Sequence, residues 1–328
     1  MIRLHTSLLA IAAVGVATAS TGHCAAMMPL RLSWVPHPPA ASPTARASMA
    51  SAYDPVSQKL VIFGGYDSTS YLTETWTYDG ATWTHEPTPV SPSGRAGASM
   101  AYDSVEHVLV LFGGFDGAHY LGDTWLWDGA SSTWTPANPA TSPTAVTGPM
   151  LFTDPVNGHV DVYGGFAGQF YQLTTYQWTG TDWQNMQPAT SAWARSTAVV
   201  ALDRANHKVV MFGGLGSVNT NNTWTWDGST WTMESPSAQP PNRYYSHAAY
   251  DSNFGHVVVF GGGSGGSDLN DTWEWTGSNW VPLQPVNSPA PRESFAMAYD
   301  NAVGSIVLFG GENGGGQFAD TWWLAIRP

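Results

Sequence analysis

A phenylalanine or tyrosine followed by Gly-Gly recurs six times in this chain, at Gly64-Gly65, Gly113-Gly114, Gly164-Gly165, Gly213-Gly214, Gly261-Gly262 and Gly310-Gly311. Successive copies are 49, 51, 49, 48 and 49 residues apart. An aspartate stands ten residues before each first glycine: Asp54, Asp103, Asp154, Asp203, Asp251 and Asp300. A fixed period near 50 leaves few architectures open. Each copy must be one supersecondary unit that buries its apolar faces against its neighbours.

Within a copy, a stretch such as "AYDPVSQKLVIFGG" predicts a strand, a tight turn opened by Asp, and a second, β-branched strand stopped by Gly-Gly. A polar loop follows, then alternating aromatics ending in Asp/Thr-Gly, as in "ETWTYDG" and "DTWLWDG". This predicts a third strand and a hairpin. A tryptophan then opens a fourth strand: Trp83, Trp134, Trp183, Trp231 and Trp280. Four short strands in about 50 residues make one propeller blade.

Gly-Gly closing the second strand and a lone Trp in the fourth make the chain resemble the kelch-repeat family, of the galactose-oxidase central-domain superfamily. The resemblance covers residues 34–328 and implies an all-β, six-bladed propeller. The sixth copy ends after its third strand at "DTWWLAIRP" and lacks its tryptophan. Trp34 supplies one. It precedes Arg46 by 12 residues, the interval that also separates Trp83 from Arg95, Trp183 from Arg195, Trp231 from Arg243 and Trp280 from Arg292. An N-terminal strand around Trp34 is therefore expected to pair with the last three strands and close the ring, so that residues 27–328 form a single propeller.

Residues 1–26 read as a secretory leader, with Arg3, an apolar run from Leu8 to Ala19, and cleavage after Ala19 or Ala26. The apolar run is too short to span a bilayer. A secreted or envelope location is the resulting expectation. The single cysteine, Cys24, lies in the leader, so the mature fold must rest on its packed core rather than on disulfides. The net charge of −13 with two lysines argues against nucleic acid as a partner. A monomer is expected.

Of 17 tryptophans, 15 occupy repeat positions and are read as inter-blade core; Trp193 and Trp323 fall outside the pattern. Arg46, Arg95, Arg195, Arg243 and Arg292 open five of the six blades. The resemblance implies that the first strand is innermost, which places these arginines at the mouth of a central channel. They could grip an anion, or pair with Glu74, Asp123, Asp271 and Asp320, which stand before the third strands. In blade three the arginine place holds Val146 and the acid place holds Thr174, so both partners are missing together. That favours pairing, and leaves Arg195, opposite Asn222, as the candidate uncommitted cation. His107, His159, His207 and His256 fall in the hairpins of the opposite face and read as turn residues, so no metal or cofactor is expected.

Gly262 to Gly266 matches G-x-S-x-G, but no helix follows and the match is fortuitous. What remains is the non-repeating material on the mouth face. The loops between second and third strands carry Tyr66, Asp67, Phe115, Asp116, His119, Phe166, Phe170, Glu312 and Asn313, and the crossovers add Trp193, Tyr244, Tyr245 and Glu293. Aromatics beside carboxylates suit a peptide or carbohydrate ligand. The leading expectation is a binding module for an extracellular or envelope protein or glycan. The alternatives are a carbohydrate-acting enzyme similar to six-bladed sialic-acid mutarotases, using Glu293 or Glu312 with Arg195 or Arg243, and a purely structural surface protein.

Overall fold

The computed structural model describes residues 31–218 and 220–327; residues 1–26, for which a leader is expected, lie outside them. Six four-stranded antiparallel sheets follow one another around an axis. Blade one comprises Ala50–Asp54, Lys59–Phe63, Thr75–Tyr78 and Trp83–Glu86. Blades two to five repeat this order from Ser99–Asp103, Met150–Thr153, Val199–Asp203 and His247–Asp251. The first strands touch in sequence around the axis, and Ala296–Asp300 of blade six closes onto Ala50–Asp54. Among the described residues, no helix is long and apolar enough to cross a membrane.

Blade six has the composition that counting tryptophans predicts. Arg31–Pro36 pairs antiparallel with Thr321–Arg327, setting Trp34 opposite Leu324, in the sheet that also holds Ser305–Phe309 and Ala296–Asp300. The clasp is tied at both flanks. The Val286 and Trp34 amides donate to Leu32 and Asn287 carbonyls at 2.9 and 3.1 Å. On the other side, His37 stacks on Trp323 at 4.0 Å, and Tyr78 of blade one bonds both His37 (3.0 Å) and the Trp323 indole (3.2 Å). Trp323, outside the repeat pattern, thus serves closure.

The strand-four tryptophans are buried between blades. Each indole N–H donates to the threonine just before the first tryptophan or tyrosine of the third strand in the preceding blade. Trp34 bonds Thr272, Trp83 bonds Thr321, and Trp134 bonds Thr75, at 2.8–3.1 Å. Trp183, Trp231 and Trp280 bond Thr124, Thr175 and Thr223 at 2.8–3.0 Å. A buried N–H needs such a partner, and each bond contributes about 1 kcal/mol net while fixing the blade angle.

The Gly-Gly pairs answer a steric demand at the same seams. At Gly213 φ is +71° and at Gly214 +97°, values that only glycine takes without strain. A side chain on Gly213 would run into the backbone carbonyl of Arg243 in the next blade, the carbonyl that accepts the Gly214 N–H at 2.7 Å. The aspartates ten residues earlier cap their turns as expected: Asp54 accepts from Val56 N–H and Asp103 from Val105 N–H, both at 2.9 Å.

Candidate functional site

The mouth is built by the residues just ahead of the first strands. Ser48, Gly97, Gly148, Thr197, Tyr245 and Ser294 all have φ between +52° and +67°. Each donates its N–H to the carbonyl of its counterpart one blade back, at 2.7–3.1 Å, with Ser48 returning to Ser294. Six backbone hydrogen bonds thus form a closed hoop at the head of a channel of about 710 Å³. Two hoop members are costly. A β-branched Thr and a bulky Tyr rarely take left-handed φ, and such strain concentrates at functional positions.

The repeat arginines lie immediately behind this hoop and are committed. Arg95 and Arg243 bind Asp123 and Asp271 through two bonds each, at 2.7–2.9 Å. Arg292 does the same to Asp320 at 2.6 and 2.9 Å, and Arg46 reaches Glu74 at 2.6 Å. The same carboxylates accept the indole N–H of Trp125, Trp273, Trp322 and Trp76. Burial opposes their ionisation, yet the indole and guanidinium hydrogen bonds and the arginine charge outweigh it and hold all four below their ordinary pKa.

Arg195 bonds Asn222 at 2.8 Å and the Trp193 and Gly213 carbonyls at 2.9 Å. Without a carboxylate, burial lowers its pKa to about 10. The expectation of an anion-gripping Arg195 meets a plain obstacle: neither Arg195 nor Arg243 has any exposed surface. Trp193 stands half-exposed on the rim, edge-on to Trp224.

Outside the hoop, each blade places one loop residue in an antiparallel bridge to the residue after its arginine position. In blades one to three the loop residues are Tyr66, Phe115 and Phe166, bridged to Ala47, Ala96 and Thr147. In blade four Leu215 faces Ser196; in blade five Gly263 faces Tyr244; in blade six Glu312 faces Glu293. The mouth is therefore two-sided where the core is six-fold.

On the side of blades one to three, rings touch in an unbroken arc. Tyr66, Tyr71, Phe115, Tyr120, Phe166 and Tyr171 have successive centroid separations of 5.1, 5.9, 5.2, 6.0 and 5.0 Å. Phe170 is exposed beside it. Asp67 and Asp116 are turn-formers within these loops. Asp67 accepts the amides of Thr69 and Ser70 (3.0 and 2.8 Å), and Asp116 those of Ala118 and His119 (2.8 and 2.7 Å). The Thr69 hydroxyl, donating to Asp67 at 2.7 Å, and then these amides lower the Asp67 pKa, and the amides lower that of Asp116. The His119 ring lies 3.5 Å from Asp116 and is largely exposed.

On the side of blades five and six the chemistry is acidic. Glu293 and Glu312 exchange backbone hydrogen bonds of 2.9 Å, so their side chains leave directly opposite positions. Burial, then the charges of Asp268 and Glu312, push the Glu293 carboxyl up to about 7. Burial also raises Glu312, helped by Asp268 and countered by Gln317. Tyr245 is raised by burial and by Glu293, with Tyr171 across the mouth contributing. Gly263 makes room for this group, since a side chain there would strike the Glu293 carboxylate and the Tyr244 ring. Among the described residues, Asp268, Glu293 and Glu312 have no ion-pair partner. Asn313 caps its own loop at Gly315 N–H.

Sequence reasoning passed over Tyr71, Tyr120, Tyr171 and Asp268. The tyrosines had a signal: an aromatic followed five residues later by Tyr, in three consecutive copies. Asp268 had none, because blade five extends its hairpin through Ser264 and Ser267 only in the fold. On the opposite face, His159 bonds Asp103 (3.0 Å), His256 bonds Glu274 (3.1 Å) and His107 bonds Tyr102 (3.0 Å), each separately. No group of three potential metal ligands converges among the described residues.

Comparison with known proteins agrees with the architecture. A family profile described as the KLHDC2/KLHL20/DRC7 Kelch-repeats domain matches residues 20–193 and 156–327. A solved structure titled "Structure of YjhT" superposes with a TM-score of 0.70 over 88% of this chain and 99% of that one, at 16% identity. No curated protein matches the sequence. The chain belongs to the kelch-repeat family.

Proposed function

We propose that this propeller is a recognition module that holds an extracellular or cell-envelope ligand, protein or glycan, across the mouth of its channel. Its leader would carry it out of the cytoplasm. The observation that carries this reading is the unbroken aromatic arc of blades one to three on the same mouth as three carboxylates of blades five and six that lack ion-pair partners. Amphipathic rings supply contact area at small entropic cost, and unpaired acids supply orientation.

One observation favours the enzymatic alternative: Glu293 titrates near neutrality, as a general acid–base group needs. Against it, the arginines that would have orientated an anionic sugar are buried and hydrogen-bonded within their own blades. Binding is therefore the better-supported function. The test is to expose the immobilised protein to arrays of envelope oligosaccharides and peptides. A ligand retained by the wild type should be held at least about tenfold more weakly by Phe115→Ala and Tyr120→Ala, a loss of roughly 1.4 kcal/mol or more. Trp193→Ala reports whether the contact extends to the rim. Retention unchanged by both arc substitutions removes the mouth as the binding face.

A further inference from the structure

The mouth is divided chemically, and the division selects a kind of partner. Four repeat arginines are neutralised within their own blades, and the fifth is buried on Asn222. The field at the mouth is therefore set by carboxylates: Asp268, Glu293 and Glu312 on one side, and the turn-forming Asp67 and Asp116 on the other. Glu293 and Glu312 stand directly opposite in an antiparallel bridge, an arrangement that like charges disfavour. A cation placed between them relieves that repulsion. In the loops of blades one to three, the arc offers faces and edges of tyrosine and phenylalanine, which attract ammonium and guanidinium groups and cover aliphatic side-chain stems. The arc also runs through three blades: its five ring-to-ring steps of 5.0 to 6.0 Å trace a path with room along it for at most about eight residues of extended chain.

Building on the recognition reading, we propose that the partner is a lysine- or arginine-bearing extended segment of another protein, its apolar stems on the aromatic arc of blades one to three and a cationic head between Glu293 and Glu312. The charge complementarity is general as well as local, because the chain carries a formal charge of −13, which steers basic segments toward it.

The experiment measures binding of decalysine, decaglutamate and neutral cellohexaose to the full-length mature protein at pH 8 in moderate salt. Decalysine should bind, and the other two should not. Glu312→Gln and Tyr120→Ala should each weaken decalysine at least about fivefold, with Glu293→Gln as a second variant in case one folds poorly. Glu106→Gln, on the exposed hairpin of the opposite face, removes the same charge and should change affinity less than about twofold. Equal losses from Glu106→Gln and Glu312→Gln would mean general attraction to an acidic protein and overturn the proposal. Cellohexaose bound in place of decalysine overturns the basic-segment proposal and leaves the recognition reading standing. If the wild type retains none of these probes and nothing from the ligand arrays, both fall.

Discussion

Glu293 concentrates what is unusual about this propeller. Its counterparts in other blades are Ala47, Ala96, Thr147, Ser196 and Tyr244, and only here does a carboxyl meet a second carboxyl across the bridge. Its pKa is raised from an ordinary 4.5 to about 7. Between those values the folded protein keeps a proton that the unfolded chain has released, so this group's contribution to stability falls as pH rises through that window. Glu293→Gln should therefore melt relatively higher than wild type at pH 8 than at pH 5. A melting difference that does not change between the two pH values would show that Glu293 titrates normally. Asp161 is a second residue of this kind. It takes a place filled by Val61, Val110, Val210, Val258 and Val307 in other blades, and is fully buried beside Asp154 with Trp226 and Gln177 donating to it at 2.9 Å. Burial, then the Asp154 charge, raises its pKa well above the ordinary value. Both stand out in the sequence, Asp161 against the valines of the other copies and Glu293 as a candidate acid of the mouth, but their raised pKa values were not legible, because an acid gains that meaning from neighbours remote along the chain. The arginine pairs were legible, because Val146 and Thr174 break the pattern in the same blade, as a lost ion pair must.

At the scale of the strand and its turns, spacing carried most of the information. A ten-residue interval from Asp to Gly-Gly specifies a hairpin of fixed length, and six copies made it readable. The inter-blade bonds were only half visible: the strand-four tryptophans stood out, whereas the threonines that receive their N–H groups lay unnoticed beside the more conspicuous Trp of "DTW". The Gly-Gly pairs allow a direct test. Gly213→Ala must place a side chain at φ +71° and against the Arg243 carbonyl. The left-handed conformation alone costs about 1–2 kcal/mol, and the displaced seam adds to it, for roughly 2–4 kcal/mol in all. Denaturant unfolding should show this loss. A change below about 0.5 kcal/mol would mean that the seam does not hold the blades at the observed spacing.

The whole molecule is a ring, and a ring has a mouth only while it is closed. Closure was legible because the tryptophans could be counted: five fourth strands at the expected places and a sixth at the wrong end of the chain. What counting could not supply was the reinforcement by His37, Trp323 and Tyr78, which belongs to no repeat. The two-sided mouth was likewise invisible as such, since loops that differ from one another look alike in being irregular. Hoop, arc and acidic pair all depend on blade six meeting blade one. Deleting residues 31–36 removes the buried Trp34, whose truncation alone should cost about 3–5 kcal/mol, and exposes the edge of Thr321–Arg327. The most direct measurement is thermal unfolding of that deletion variant beside the wild type. A fall in Tm of more than about 10 °C is predicted; an unchanged melting profile would contradict the closed ring.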